Sequence, residues 1–558
     1  MNVLVPLMNA LVPLPVLLPL CATGLSLAFG TRLKLVQRLV SVAVLTVVLV
    51  LSVALMIVTD LHGPLAVHLG DFAPPIGITL VADRLSGLML TVSSAITLCV
   101  LVYSIGQGMA DRDEQTPVAV FHPAYLILVA GVSDTFLAGD LVNLFVGFEI
   151  MLVASFVLLT LGGTGPRVRA GSTYVIVSLL SSMLFLTAIA MTYAATGTAN
   201  FAQLAGRIAE LPTGVQTLIQ AMLLTVFALK AAAFPLAAWL PDSYPTAPAP
   251  VTAVFAGLLT KVGVYSMLRT ETLLFPGNRL GDLLMAVALA SMTVGILGAV
   301  AQTDLKRLLS FTLISHIGYM VFGIGLATRD AYGGAIVYVA HHITVQTTLF
   351  LATGLIERRG GTTELTRIGG LAAAAPLLAV LFFVPAMNLA GIPPLSGFIG
   401  KLGLMRAGVE DGGAWAWLLV VGSAVTSLLT LYVVAKVWNL AFWRAAPPGQ
   451  AAYGTVLESG SDEGDIDIGP GPDHIPGSGD EPVPHRHEPA GRAVAATLHG
   501  HAVTTTTQLP RPMTAATAAA VALGLAFTVF AGPLTSYADR SAVELLGRSP
   551  YTEAVFGR

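Results

Sequence analysis

Four lysines stand where a lysine needs a reason. The chain has six lysines against 22 arginines, and Lys230, Lys261, Lys401 and Lys436 lie within or beside long apolar stretches. A charged side chain at the centre of a bilayer costs roughly 2.5–3.5 kcal/mol on insertion scales, so such residues point to function. Glu149, in LFVGFEIMLVASF, reads as the one acid deep in such a stretch. Buried lysine and glutamate can switch between charged and neutral forms, whereas arginine stays charged, so this set suits proton transfer. Histidines extend it: His316 lies in LISHIGYM, and His341 with His342 in VYVAHHITVQTTLF, one helical turn before Gln346. Imidazole titrates nearest neutrality and relays protons well. The plain alternatives are a snorkelling side chain, which is expected for Lys436, and a purely structural Glu149–Lys230 ion pair. Three deep lysines together with histidines are read instead as a proton relay along a hydrated polar axis.

The elements that must hold these groups are membrane helices. Of 558 residues, 55% are hydrophobic and 11% charged, with a mean hydropathy of +0.81. Soluble domains carry about 25% charged residues. An all-α integral membrane protein is expected. At about 20 apolar residues per crossing, the chain yields about fourteen spans. These fall near residues 3–30, 39–60, 84–106, 121–138, 140–161, 171–194, 214–239, 251–269, 281–301, 309–328, 331–355, 376–404, 414–443 and 513–535. The first is too long and lacks the basic start of a cleaved signal peptide.

Pro235, in ALKAAAFPLAAWLP, and the Pro393–Pro394 pair, in LAGIPPLSGFIGK, should break the seventh and twelfth spans. In a membrane, such breaks are tolerated where protein or a water-lined cavity satisfies the freed backbone. Breaks at corresponding places five spans apart predict two inverted five-helix repeats, spans 4–8 and 9–13. The expected divisions are 1–120 (spans 1–3), 121–270 and 271–444 (the repeats), 445–512 (a loop) and 513–558 (last span and tail).

Loop charge sets the orientation. Fifteen basic residues fall on one side and nine on the other, counting Arg84, Arg269, Arg540 and Arg548 with the smaller group. The richer side is expected to be cytoplasmic, with both termini outside. Residues 445–512 are rich in Pro, Gly, Asp and Glu, hold five of the eleven histidines and show no apolar period, so a disordered cytoplasmic loop is expected. His485, Arg486 and His487 within it are read as solvated linker rather than a metal tract. A formal charge of -3 gives no reason to expect a nucleic-acid partner. Cys21 and Cys99 sit in apolar runs and suggest neither disulfide nor metal pair. No cofactor, metal or catalytic residue set is expected.

The segments GDLVNLFVGFEIMLVASFVLL, ALKAAAFPLAAWLPDSYPTAPAPVTAVFAGLLTKVGVYSMLR, AQTDLKRLLSFTLISHIGYM and HHITVQTTLF…GIPPLSGFIGK resemble the antiporter-like membrane subunits, in order over roughly residues 80–440. That family contains the proton-pumping subunits of respiratory complex I and the large subunits of Mrp-type cation/proton antiporters. YLILVAGVSDTFLAGDLVNLFVGFEIMLVASFVLLTLGG and MTYAATGTANFAQLA are most like the D subunit of the Mrp type.

The resemblance implies a subunit of a multisubunit sodium (or other monovalent cation)/proton antiporter in a bacterial cell membrane, docked on other hydrophobic subunits and lipid. It implies that Glu149 and Lys230 form a gating ion pair and that Lys261 is the central relay lysine. Lys401 matches the terminal lysine that exchanges protons with one side, and His342 matches the histidine of the eleventh span. Gln346 stands where the family often has a lysine, so the link from Lys261 to Lys401 would depend on His316, His341, His342 and water. A complex I or membrane-hydrogenase pump subunit is the nearer alternative, and a structural scaffold the more distant one. Asp134 and Asp140 are open to two readings, as sodium ligands or as helix-terminal residues in water.

Overall fold

The computed structural model describes residues 4–29, 33–74, 76–110, 117–446 and 509–557. The expected loop at 445–512, with His485, Arg486 and His487, lies outside the described residues apart from its two ends.

The N-terminal helices are α1 (Leu4–Leu11), α2 (Leu14–Phe29), α3 (Lys34–His62) and α4 (Arg84–Ala110). A first group follows: α5 (Val118–Leu137), α6 (Leu141–Leu159), α7 (Gly165–Thr196), α8 (Phe201–Arg207), α9 (Thr213–Ala231), α10 (Trp239–Ser243), α11 (Ala249–Val254) and α12 (Thr260–Leu273). A widened π-helical turn, Phe255–Leu259, joins α11 to α12. Next come α13 (Gly281–Ala301), α14 (Leu305–Leu326), α15 (Arg329–Gly360), α16 (Leu371–Ala374), α17 (Pro376–Ala390), α18 (Ser396–Asp411) and α19 (Ala414–Val437). The chain closes with α20 (Arg511–Val529), α21 (Ala531–Gly547) and α22 (Ser549–Phe556). Among the described residues, twelve helices are long and apolar enough to cross a membrane, and Leu14–Ala28 and Pro376–Ala390 are shorter apolar helices. The chain is a multi-pass, all-α membrane protein. Its small exception is a hairpin of β1 (Leu65–His68) and β2 (Thr79–Ala82), in register Leu65↔Ala82.

Several boundaries depart from the sequence reading. The expected 3–30 span is split between α1 and α2 where Pro13 and Pro15 fall, because proline cannot donate to the preceding turn. The last span stops at Val529, and the expected tail folds into α21 and α22. The eighth span runs to Leu273, which draws Arg269 and Glu271 into the helix.

Helix starts follow local chemistry. Asp140 caps α6 by accepting from Asn143 N at 2.6 Å, and Asp304 caps α14 by accepting from Arg307 N at 2.9 Å. The helices then sort by burial. The apolar windows of Ala249–Leu273 and α15 are wholly buried, whereas those of α3 and α20 are only 28% buried. The interior is therefore built from the helices that carry Lys261 and the histidines.

Basic residues meet at two opposite ends. At one, Lys306 pairs with Glu357 at 2.7 Å, Arg307 with Asp242 at 2.9 Å, and Arg444 donates to the carbonyls of Leu365, Thr366 and Ile368. At the other, which carries α21 and α22, Arg84, Arg269, Arg540 and Arg548 gather. This second end is called the tail end below.

Candidate functional site

The first cluster joins α6, α7 and α9. Lys230, on the last turn of α9, is buried with its Nζ 4.0 Å from Glu149 Oε1. Ser182 of α7 lies between them: its hydroxyl donates to Glu149 Oε1 and accepts from Lys230 Nζ at 3.2 Å. The ammonium also sits 5.2 Å from the Phe148 ring centroid. Glu149 is 30% exposed on the outer face of the bundle, between exposed Val146 and Val153. A cavity beside Lys230 is lined by Tyr174, Ser178, Ser181, Trp239 and Tyr244. Ser181 Oγ and Tyr244 Oη have no hydrogen-bond partner among protein atoms. Pro235 stands in the gap between α9 and α10.

Lys261 follows directly. It begins α12 at the π-helical turn, is fully buried, and donates from Nζ to Ala256 O at 2.5 Å. Two glycines let its surroundings close. A Cβ on Gly263 would fall 2.7 Å from Ala231 N, so α12 lies directly against the Lys230 end of α9. A Cβ on Gly257 would fall 2.0 Å from Thr347 Oγ1, so the π turn lies against α15 at the level of His342 and Gln346.

The histidines occupy the next stretch, all fully buried. His316 Nδ1 shares a hydrogen with Tyr338 Oη at 2.6 Å, and its ring lies 5.0 Å from that of His342. His342 is within electrostatic reach of Lys261 and Lys401. Neither of its ring nitrogens has a protein partner. His341 Nδ1 bonds Ser396 Oγ at 3.0 Å, and Ser396 is held by Asn388. Gln346 Nε2 donates to Leu309 O at 2.8 Å, and its Oε1 has no protein partner. Buried polar atoms of this kind are where ordered water is found.

Lys401 ends the line. The chain leaves α17 at Ala390, passes Pro393 and Pro394, and re-enters helix at Ser396. Lys401 Nζ donates to the freed carbonyls of Leu389 and Ala390 at 3.1 and 3.0 Å. A cation at a helix C-terminus also meets the negative end of its dipole. The same ammonium stands 5.0 Å over the Tyr319 ring, which packs 5.3 Å from Tyr338. Lys436 lies apart from this line. It donates to Val300 O and Gln302 O at 2.9 and 2.8 Å, closing the end of α13.

Other buried charges were not legible in the sequence. Two further acids are buried at helix ends: Glu271 in α12 and Asp134 in α5 are 4% and 5% exposed. Asp134 accepts from Asn143 Nδ2 at 3.1 Å and Asp140 caps α6, so both are buried helix-end groups rather than residues in water. Arg269, sorted with the loop arginines, is buried and pairs with Asp83 at 2.6 Å. Around it, Arg84 bonds Asp60 at 2.9 Å and Glu544, Arg540 bonds Asp60 at 2.7 Å, and Arg269 stacks 5.2 Å from Tyr551. Burial alone would push the Asp83 carboxyl up. The Arg269 guanidinium, through charge and hydrogen bonding, holds it below its ordinary 3.8. These partners are far apart in sequence, and nothing local announces them. Ser182 had a weak signal: Ser178, Ser181 and Ser182 share one helical face of an otherwise apolar stretch.

Comparison with known proteins gives a consistent set of similarities. Residues 138–428 match the family described as NADH:quinone oxidoreductase/Mrp antiporter, transmembrane. The chain is 41% identical over 440 residues to the Na(+)/H(+) antiporter D subunit of Alkalihalophilus pseudofirmus, covering 78% of this chain and 87% of that one. Its structure is similar to a chain of the Mrp complex from a Dietzia species, with TM-score 0.83, 31% identity, and 99% and 100% of the two chains covered. It is also similar to a chain of respiratory complex I from Thermus thermophilus, with TM-score 0.71 and 23% identity over 96% and 100%. At that identity the likeness concerns the fold.

Proposed function

The chain belongs to the NADH:quinone oxidoreductase/Mrp antiporter family of membrane subunits, and from that premise we propose that it carries protons in a multisubunit Na+/H+ antiporter. Its relatives are antiporter subunits, transporters rather than enzymes. The 41% identity to a D-type antiporter chain favours this reading over a redox-coupled pump. The partners are other membrane subunits of such a complex. Partly exposed Glu149 supports a neighbour at the α6–α7 face, since an acid turned to hydrocarbon is costly. Further proposals are two inverted repeats over 121–270 and 271–444, and termini outside the cell.

The observation that carries the reading is the Glu149–Ser182–Lys230 contact. One hydroxyl both donates to the carboxylate and accepts from the ammonium, so it can hand a proton either way by rotating. From Lys230 the proposed path runs through Lys261, His342, His316, Tyr338 and His341 to Lys401. Gln346 holds the polar axis open but carries no charge. The helix break at Pro393–Pro394 frees the carbonyls of Leu389 and Ala390, which hold Lys401 without a carboxylate. A base held by neutral dipoles can lose its proton without leaving a buried anion behind.

In membrane vesicles, Lys230→Met in an assembled complex is expected to lower Na+/H+ exchange by about 100-fold or more. Wild-type exchange by that variant would overturn the reading.

A further inference from the structure

A buried acid at the tail end has no cation paired with it among the described residues. Glu271 lies in the last turn of α12. Its Oε2 accepts from Gln220 Nε2 of α9 at 2.8 Å, whereas Glu271 Oε1 and Gln220 Oε1 have no hydrogen-bond partner among protein atoms. Gln220 is 1% exposed. Tyr332, on the first turn of α15, is close enough to feel the charge of Glu271.

For a structural residue this placement is poor. Negative charge is disfavoured at a helix C-terminus, and a buried carboxylate without a cation is costly. Glutamine at 271 would accept the same hydrogen bond and escape both penalties. What glutamate adds is the ability to take up and release a proton. A cation site fits less well, because the Gln220 N–H is aimed at one carboxylate oxygen and hard cations collect several oxygens.

Three helices of the proposed path converge here. Gln220 is ten residues from Lys230 on α9, Glu271 ten from Lys261 on α12, and Tyr332 nine from His341 on α15. Each is about 14–15 Å of helix. Toward water, half-buried Asp539 of α21 lies against Gly333, where a Cβ would fall 2.7 Å from its Oδ1. Burial raises the Asp539 carboxyl above its ordinary value, against the charge of Arg329. The other charged groups nearby are engaged elsewhere: Arg269 with Asp83, Glu544 with Arg84, and Asp134 of α5 with Asn143.

The geometry points to Glu271, held by Gln220, as the proton-exchange residue that connects the lysine–histidine line to water at the tail end. This rests on the proton-path reading above.

The test is Na+/H+ exchange by the assembled complex in vesicles across a pH series. Glu271→Gln is expected to lower exchange at least about tenfold and to flatten its pH dependence, while Glu271→Asp keeps that dependence. A wild-type rate with an unchanged pH profile overturns the proposal. So does a raised KM for sodium with unchanged proton dependence, which would make the site a cation ligand. If Glu271→Gln does not assemble, Gln220→Met carries the test: loss of the amide donor shifts the midpoint of the pH profile, and an unmoved midpoint overturns the proposal. Lys230→Met measured alongside separates the two ideas. Wild-type exchange by Lys230→Met defeats the path itself, whereas an inactive Lys230→Met beside a wild-type Glu271→Gln defeats only this assignment.

Discussion

The Glu149–Ser182–Lys230 cluster and the Asp83–Arg269 cluster both place charge inside a membrane protein, by opposite means. At the tail end, Arg269 meets Asp83 at 2.6 Å with both side chains under 5% exposed, and Arg84, Asp60, Glu544 and Arg540 extend the contacts. Every cation there is an arginine, which keeps its proton and forms several directed bonds. In the lysine line, Lys230 is 4.0 Å from its acid with a hydroxyl between, and the hydrogen bonds of Lys261 and Lys401 go to backbone carbonyls. The first arrangement fixes the tail against α4 and α12. The second leaves each base only lightly held, as a site that must change its protonation requires. Residue type and quality of pairing separate clamp from carrier.

Breaking the clamp should have the largest effect. Arg269→Ala leaves Asp83 buried without its cation, and loss of one partner of a buried pair is expected to cost about 3–5 kcal/mol. Thermal unfolding of the purified complex would show it as a large fall in Tm. By the same contrast Lys261→Met should alter Tm little while reducing exchange, and equal stability losses from both would erase the distinction.

A smaller effect is expected in the carrier. Ser182→Ala removes the bridge between Glu149 and Lys230 without touching either charge. Exchange should fall about tenfold, about 1.4 kcal/mol of barrier, in keeping with one hydrogen bond to a charged group. Ser182→Thr, which keeps the hydroxyl, should restore most of the rate. If alanine and threonine behave alike, the hydroxyl has no part in transfer.

The smallest effect is a pH dependence of the clamp. Arg269 holds the Asp83 carboxyl below its ordinary 3.8. Stability from the ionised acid is therefore present above about 3.8 and is lost as pH falls below it. Tm should drop on acidification through that range, and Asp83→Asn should show a shallower drop. A wild-type Tm as steady under acid as that of the variant would mean the pair is not ionised in the fold.

How far the sequence reached is seen in particular residues. Lys230, Lys261 and Lys401 stood out because lysine inside an apolar run has few explanations, and Pro235 and Pro393–Pro394 because a proline removes a backbone hydrogen bond from the helix that holds it. Arg269 was misplaced because a basic residue at a span end looks the same whether it faces water or a buried aspartate 186 positions away. Glu271 was passed over for the same reason, its span having been ended four residues early. Lys436 was expected to snorkel to the interface, and its Nζ is found on the carbonyls that end α13.

The sequence by itself determined the solvent, the helical class, the helix breaks and the titratable lysines and histidines. Those follow from composition, local backbone chemistry and the cost of charge in hydrocarbon. Only the tertiary structure decided which charge meets which: Ser182 between Glu149 and Lys230, Lys401 on the ends of α17, and Asp83 with Arg269. A contact between distant residues depends on how helices cross and how closely glycines let them approach, and neither is written in any one stretch of chain.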